Sequence, residues 1–179
     1  MPGGATIDDD ELRRMTVTVS AVARGRAGAR RKVAGHRARI DPAFARFRLA
    51  VRRSPIERFG VFAEVRIPAG HAVIEYTGKR ILQSVAPRYA HRHRCYLARL
   101  NARWAIDGAI GGSGAELVNH SCAPNLKVRR LRGHLLFVSR RAIAAGEELT
   151  IDYRFSPDID LVPCKCGTPI CRGTINRRR

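Results

Sequence analysis

The stretch RRAIAAGEELTIDY, residues 140–153, runs from an isoleucine through an Ala-Ala-Gly turn into a strand candidate (148–152) and ends on Tyr153. The stretch VRIPAGHAVIEY, residues 65–76, has the same order of parts: Ile67, an Ala-Gly turn, a strand candidate at 71–76 and a terminal Tyr76. Glycine after a small residue marks the turn, and a short apolar run bounded by such turns reads as a strand. Two such units read as two hairpins, and they could also present Tyr76 and Tyr153 toward one site.

The same reading extends outward. Phe47, Leu49 and Val51 alternate with polar or small residues, the period of a strand. Further strand candidates are 61–65, 95–100, 103–107, 126–131 and 135–139, and residues 83–93 have the character of one short helix. Many short strands separated by turns predict a β-rich fold and exclude a Rossmann-type α/β domain.

The chain has 179 residues, 45% of them apolar, so one core is affordable and full disorder is excluded. No apolar run approaches the ~18–20 residues of a spanning helix, so no membrane partner is expected. The start, MPGGATIDDDELRR, lacks the apolar stretch of a secretory signal, which makes the cytoplasm the default location, with a host nucleus or chromatin as the alternative. Lys and Arg total 34 against 15 Asp and Glu, a formal charge of +19. Such a surface attracts polyanions, and non-specific nucleic-acid contact is one expectation. Residues 1–46, with ARGRAGARRKVAGHRARI at their centre, read as a basic, disordered tail, either a nucleic-acid arm or a solubilising extension.

Cys164, Cys166 and Cys171 lie in CKCGTPIC, a C-x-C-x4-C spacing in a Gly- and Pro-containing loop. Three thiolates this close can begin a tetrahedral zinc site, and a fourth donor must come from elsewhere. Cys122, beside a His and close before a Pro, is the better donor; Cys95, inside an apolar strand, reads as a buried core thiol. A disulfide-bonded tail is the alternative reading of the cluster.

Four segments then stand in order: SPIERFGVFAEVRIPAG (54–70), EYTG (75–78), GAELVNHSCAPN (114–125) and GEELTIDY (146–153), followed by C-x-C-x4-C-RG. Together they resemble the SET-domain protein lysine methyltransferases with a post-SET zinc segment. The resemblance covers about residues 47–179. It implies a mostly β fold of small antiparallel sheets around a pseudoknot, divided into a catalytic domain at 47–154 and a zinc-bound post-SET segment at 155–179. It also implies S-adenosylmethionine and Zn²⁺ as cofactors, and a lysine-presenting protein substrate, histone or histone-like, entering a narrow channel from the face opposite the cofactor.

Carried onto this chain, the resemblance makes Tyr153 catalytic. Arg58, Phe59 and Gly60 become cofactor contacts through main chain, and Tyr96, Asn119 and His120 complete that set. Cys122, Cys164, Cys166 and Cys171 become the metal ligands, and Tyr76 and Phe137 the channel walls. Ile151 stands where the family tends to place an aromatic residue that limits the number of methyls added, so di- or trimethylation is expected. Arg58 replaces the first Gly of the usual Gly-x-Gly, and Glu116 precedes Asn-His where a non-acidic residue is usual, so Glu116 is left out of the site. Glu147, Glu148 and Asp152 are weak candidates for attracting substrate. The shortness and Arg bias suggest a bacterial or viral version. The alternative function is a catalytically silent module that binds nucleic acid or chromatin.

Overall fold

The computed structural model describes residues 38–89 and 96–178. Most of the predicted tail, the end of the predicted helix at 83–93, and Cys95 lie outside the described residues. Among the described residues there are ten short strands: β1 (Leu49–Arg53), β2 (Phe59–Ala63), β3 (Ala72–Glu75), β4 (Lys79–Leu82), β5 (Leu97–Arg99), β6 (Trp104–Asp107), β7 (Asn119–His120), β8 (Leu126–Leu131), β9 (His134–Ser139) and β10 (Glu148–Ile151). They form three small sheets, ordered β1-β2-β10-β7, β3-β9-β8 and β4-β6-β5. Every pairing is antiparallel except β10 with β7. Among the described residues there is no α-helix, only 3-10 turns at Pro42–Phe44, Ala86–Tyr89 and Ala115–Leu117. The expected helix is therefore a single turn over its described part. None of these elements is long or apolar enough to cross a membrane as a helix.

The two repeated stretches are not separate hairpins. They clasp each other. Ile67 and Ile143 exchange both backbone hydrogen bonds at 2.9 Å. On one side of that bridge β2 pairs with β10, and on the other β3 pairs with β9. The two turn glycines close the arrangement in the same way: Gly70 N–H donates to Ser139 O at 2.9 Å and Gly146 N–H to Ala63 O at 2.7 Å. Both glycines sit at positive φ, 78° and 84°, where a side chain would strain the backbone. Sequence similarity here records a pseudo-twofold exchange that buries Ile67, Ile143, Val61 and Leu149 completely.

One core serves most of the molecule. Val61, Val73, Ile74, Leu126, Leu135, Phe137 and Leu149 are all within 1% of full burial, and alternation along each strand supplies them. Residues 38–46, grouped with the tail by their composition, dock on this core: Asp41 N–H donates to Ser113 O, and Arg46 N–H to Val73 O. Beyond Phe155 the chain forms no further named strand. It is held by bridges at Phe155–Asn176 and Pro163–Thr174 and by the Asn176 side chain, which is fully buried and bonds to Val162, Ser156 and Asp160. A segment with so little apolar surface needs another source of folding free energy.

Candidate active site and metal centre

β7 and β10 run side by side and place Asn119, His120 and Tyr153 together. Ser121 N–H donates to Ile151 O at 3.0 Å, and Asn125 stitches the same two segments: its amide nitrogen donates to Glu148 O and its oxygen accepts from Thr150 N–H. Tyr153 lies just beyond β10. Its backbone N–H donates to His120 Nδ1 at 3.1 Å, and its phenol donates to Val118 O at 2.9 Å. The ring stands edge-on to His120 and stacks on Phe155, with centroids 5.5 and 5.8 Å away. Burial, with Tyr96, Glu148 and Glu57 adding to it, pushes the phenol above its ordinary range. Tyr153 is a neutral, positioned hydroxyl.

His120 is neutral as well. Burial lowers it to about 4, against the pull of Asp152 and with help from Arg172. Because Nδ1 accepts from Tyr153, the proton sits on Nε2, which faces Cys122 Sγ at 3.5 Å. Asn119 is similarly engaged inside the protein: its amide nitrogen donates among Phe59 O, Ser54 Oγ and Glu148 Oε1 at 2.8–3.1 Å. The side chains of Asn119 and His120, expected to offer polar groups to a cofactor, are thus held by internal partners. β7 itself is the terminal strand of its sheet.

Gly60 has a second reason to be glycine. A Cβ there would lie 2.1 Å from Glu148 Oε1 and 3.1 Å from the Asn119 amide, so its absence lets the Ser54–Glu148–Asn119 cluster form beneath the loop. Arg58 keeps φ at 25°, the backbone of the glycine it replaces. Phe59 is 39% exposed beside it. Tyr96 packs half-buried on the core, and its carbonyl accepts from the Tyr76 phenol at 2.6 Å and from Gly108 N–H at 2.8 Å. The two tyrosines of the repeat therefore meet the same neighbour: Tyr76 bonds the Tyr96 backbone, and the Tyr153 phenol feels the Tyr96 hydroxyl. Phe137 is 1% exposed with its ring against Tyr76; its contacts are those of a core ring. Ile151 is 5% exposed and belongs to the same core. Glu116 is buried toward Gly108 and Gly112, accepting from Gly114 N–H.

The three acids considered for substrate attraction all have internal partners. Glu147 pairs with Arg141, Glu148 accepts from Ser54 and Asn119, and Asp152 holds Arg172. Burial pushes Asp152 up, but the Arg172 hydrogen bonds and charge, the Arg154 N–H and His120 outweigh it and hold the carboxyl below its usual range. The roles of Ser54, Asp152 and Arg172 were missed. Ser54 lies 94 residues from Glu148, and no local pattern marks such a pair.

Cys122, Cys164, Cys166 and Cys171 converge, with all four sulfurs within 4.8 Å of one another. Cys122 and Cys164 sulfurs are 3.7 Å apart, matching the ~3.8 Å edge of a tetrahedron with ~2.3 Å Zn–S bonds. Backbone N–H groups of Arg172, Cys166, Cys122 and Gly173 point at these sulfurs from 3.3–3.5 Å, the pattern that favours thiolate over thiol. At Cys166 burial acts upward, and the Cys122 N–H and the Thr168 groups outweigh it, leaving this thiol at about 5, whereas burial pushes the Cys122 and Cys164 thiols up. The donor set fits zinc.

A model of the SET domain matches residues 58–154. The chain belongs to the SET-domain family. It is 39% identical over 142 residues to the histone-lysine N-methyltransferase ATX2 of Arabidopsis thaliana, and 39% identical over 133 residues to an H3 lysine-4 specific histone-lysine N-methyltransferase of Mycosarcoma maydis. These matches take in 73% and 67% of this chain but only 13% and 9% of those relatives. Among solved structures, KRYPTONITE in complex with mCHG DNA and SAH aligns with a TM-score of 0.63 and 28% identity, covering 73% of this chain and 29% of that one. The SET fold anticipated from the four ordered motifs is the fold observed.

Proposed function

We propose that this SET domain is an S-adenosylmethionine-dependent protein-lysine N-methyltransferase, with a histone or another basic, nucleic-acid-associated protein as acceptor. The cofactor would supply an activated methyl on a sulfonium. Main chain at Arg58, Phe59 and Gly60 and at β7, with Tyr96, would hold it, and the cysteine clasp would hold zinc beside it. The observation that carries the reading is the Tyr153 phenol, fixed to Val118 O between His120 and Phe155 at the end of β10.

A lysine must be uncharged to attack, and a buried channel disfavours its ammonium form. Tyr153 does not take that proton, because its own phenol is held neutral well above the working pH. Water is left to carry the proton away. Tyr153 instead orients the amine for in-line attack, a contribution of geometry. Where the enzyme works, in the cytoplasm or on host chromatin, follows from where its acceptor sits.

The test is transfer of labelled methyl from S-adenosylmethionine to core histones and to a lysate by zinc-replete protein, wild type against Tyr153→Phe. Transfer by the wild type, and at least a hundredfold less by the variant with cofactor still bound in calorimetry, is the expected result. No cofactor binding by the wild type would overturn the reading.

A further inference from the structure

Residues 76–106 hold seven Lys and Arg and no acid, and residues 117–146 hold six and again no acid. The first stretch makes β4, β5 and most of β6; the second makes β7, β8 and β9. Arginines join the two. Arg80 on β4 donates to Gly133 O in the β8–β9 turn at 2.8 Å, and Arg130 on β8 donates twice to Arg99 O on β5 at 2.8–3.0 Å. The Arg80 bond ends on a backbone carbonyl, which fixes its guanidinium without neutralising it, and the Arg130 bonds tie β8 to β5. Burial, then the charge of Arg99, lowers Arg130 from its ordinary value.

The same hairpin presents more cations. Leu126 and Val128 face the core, so Lys127 and Arg129 project to the opposite face. Arg132 is exposed at the turn. Among the described residues Glu64 pairs with Arg52, Glu147 with Arg141 and Asp152 with Arg172. Glu75, the acid of the adjoining β3, is taken by His134 at 2.7 Å.

We propose that this ridge, Lys127, Arg129 and Arg132 flanked by Arg80, docks the phosphate backbone of duplex DNA. Single strands are bound through exposed aromatic platforms. The exposed aromatics among the described residues, Phe44 and Phe59, lie off the ridge, and Trp104 is half-buried under Arg103. Phosphate docking rests on the charge arrangement alone; the choice of DNA over duplex RNA rests on the proposed acceptor being a DNA-bound basic protein. The ridge would bring a basic enzyme to a basic acceptor through the polyanion that carries it.

The experiment is a salt series of fluorescence anisotropy on labelled duplex DNA with the full, zinc-replete chain, wild type against a Lys127→Gln, Arg129→Gln, Arg132→Gln triple variant. Each phosphate contact contributes about 0.9 to the slope of log K against log salt, so losing three lowers its magnitude by about 2.7. A charge-preserving triple (Lys127→Arg, Arg129→Lys, Arg132→Lys) should keep the wild-type slope. Methylation of a short free peptide should be unchanged in both variants, because none of the three residues belongs to the site. An unchanged slope in the Gln variant, or the same loss in the charge-preserving one, overturns the proposal. Duplex RNA or single-stranded DNA bound as tightly as duplex DNA overturns it too. Ridge-dependent DNA binding without any methyl transfer would refute the proposed function and leave the ridge standing.

Discussion

Arg172 grips Asp152 through two parallel hydrogen bonds of 2.9 Å, while its own backbone N–H points at Cys122 Sγ from 3.3 Å. One residue thereby ties the metal clasp to the chain position just before Tyr153. His120 makes a second tie, its Nε2 facing Cys122 Sγ and its Nδ1 holding the Tyr153 N–H. The cysteine segment is therefore joined to the end of β10 and Tyr153 by two routes that both start at Cys122.

Arg172→Lys should uncouple them. Lysine keeps the charge and the backbone N–H but loses the planar fork, and a bidentate pair this shielded is worth about 1–3 kcal/mol. Methyl transfer should fall about tenfold with zinc content, measured by atomic emission, unchanged. Loss of zinc in proportion to activity would mean that Arg172 serves only the metal.

Arg58→Gly tests the loop that departs from the family pattern. With φ at 25°, Arg58 carries a backbone strain of about 1 kcal/mol that glycine would not. Part of that gain returns as unfolded-state entropy. The expected outcome is a melting temperature raised by a degree or two and a cofactor dissociation constant no weaker than wild type. A fall in either stability or affinity would show that the Arg58 side chain does more than occupy a glycine's place.

Ile151→Tyr tests product multiplicity. Ile151 sits in β10 opposite His120, 5% exposed and without a hydroxyl. A phenol adds bulk that costs about 1–3 kcal/mol in a packed core, so the variant should be less stable and confined to monomethyl product. Wild type should reach di- or trimethyl product. Mass spectrometry of exhaustively treated peptide reads both, and only monomethyl product from the wild type would contradict the expectation.

The parts of this molecule that were legible in advance are those set by short-range chemistry. C-x-C-x4-C and the Cys beside His120 announced the metal centre because thiolates are seldom so close without a reason. Gly70 and Gly146 announced turns because both adopt positive φ. β4 escaped notice because its residues, KRIL, include two cations with exposed side chains and contribute only Ile81 to a core. The pairing of the two repeats escaped for another reason: a local motif says that a turn is present but not which distant strand lies against it. Glu148 and Ser54 belong to that second class. Asn119 was expected to meet a cofactor, and its amide nitrogen is engaged by Glu148 and Phe59, a distinction that only three-dimensional neighbours make.

Acid stability isolates one more contact. Glu147 accepts from both Arg141 terminal nitrogens, from the Asn125 amide at 3.0 Å and from Ala144 N–H at 3.1 Å. Arg141 foremost, working against partial burial, holds its carboxyl below the ordinary 4.5. A carboxylate lowered on folding stabilises the native state at every pH above its unfolded value, and that contribution disappears as the pH falls through the folded value. Glu147→Gln lacks the titrating group, so it should be less stable than wild type at pH 7, by about 1 kcal/mol or less for a contact this exposed. The gap should shrink as the pH drops below about 4.5. Urea midpoints measured for both proteins from pH 7 to pH 3 give the comparison, and the protonation of zinc-site thiols cancels because it is common to the two. A gap that stays constant or widens in acid would mean that Glu147 contributes through shape and neutral hydrogen bonds, not through its charge.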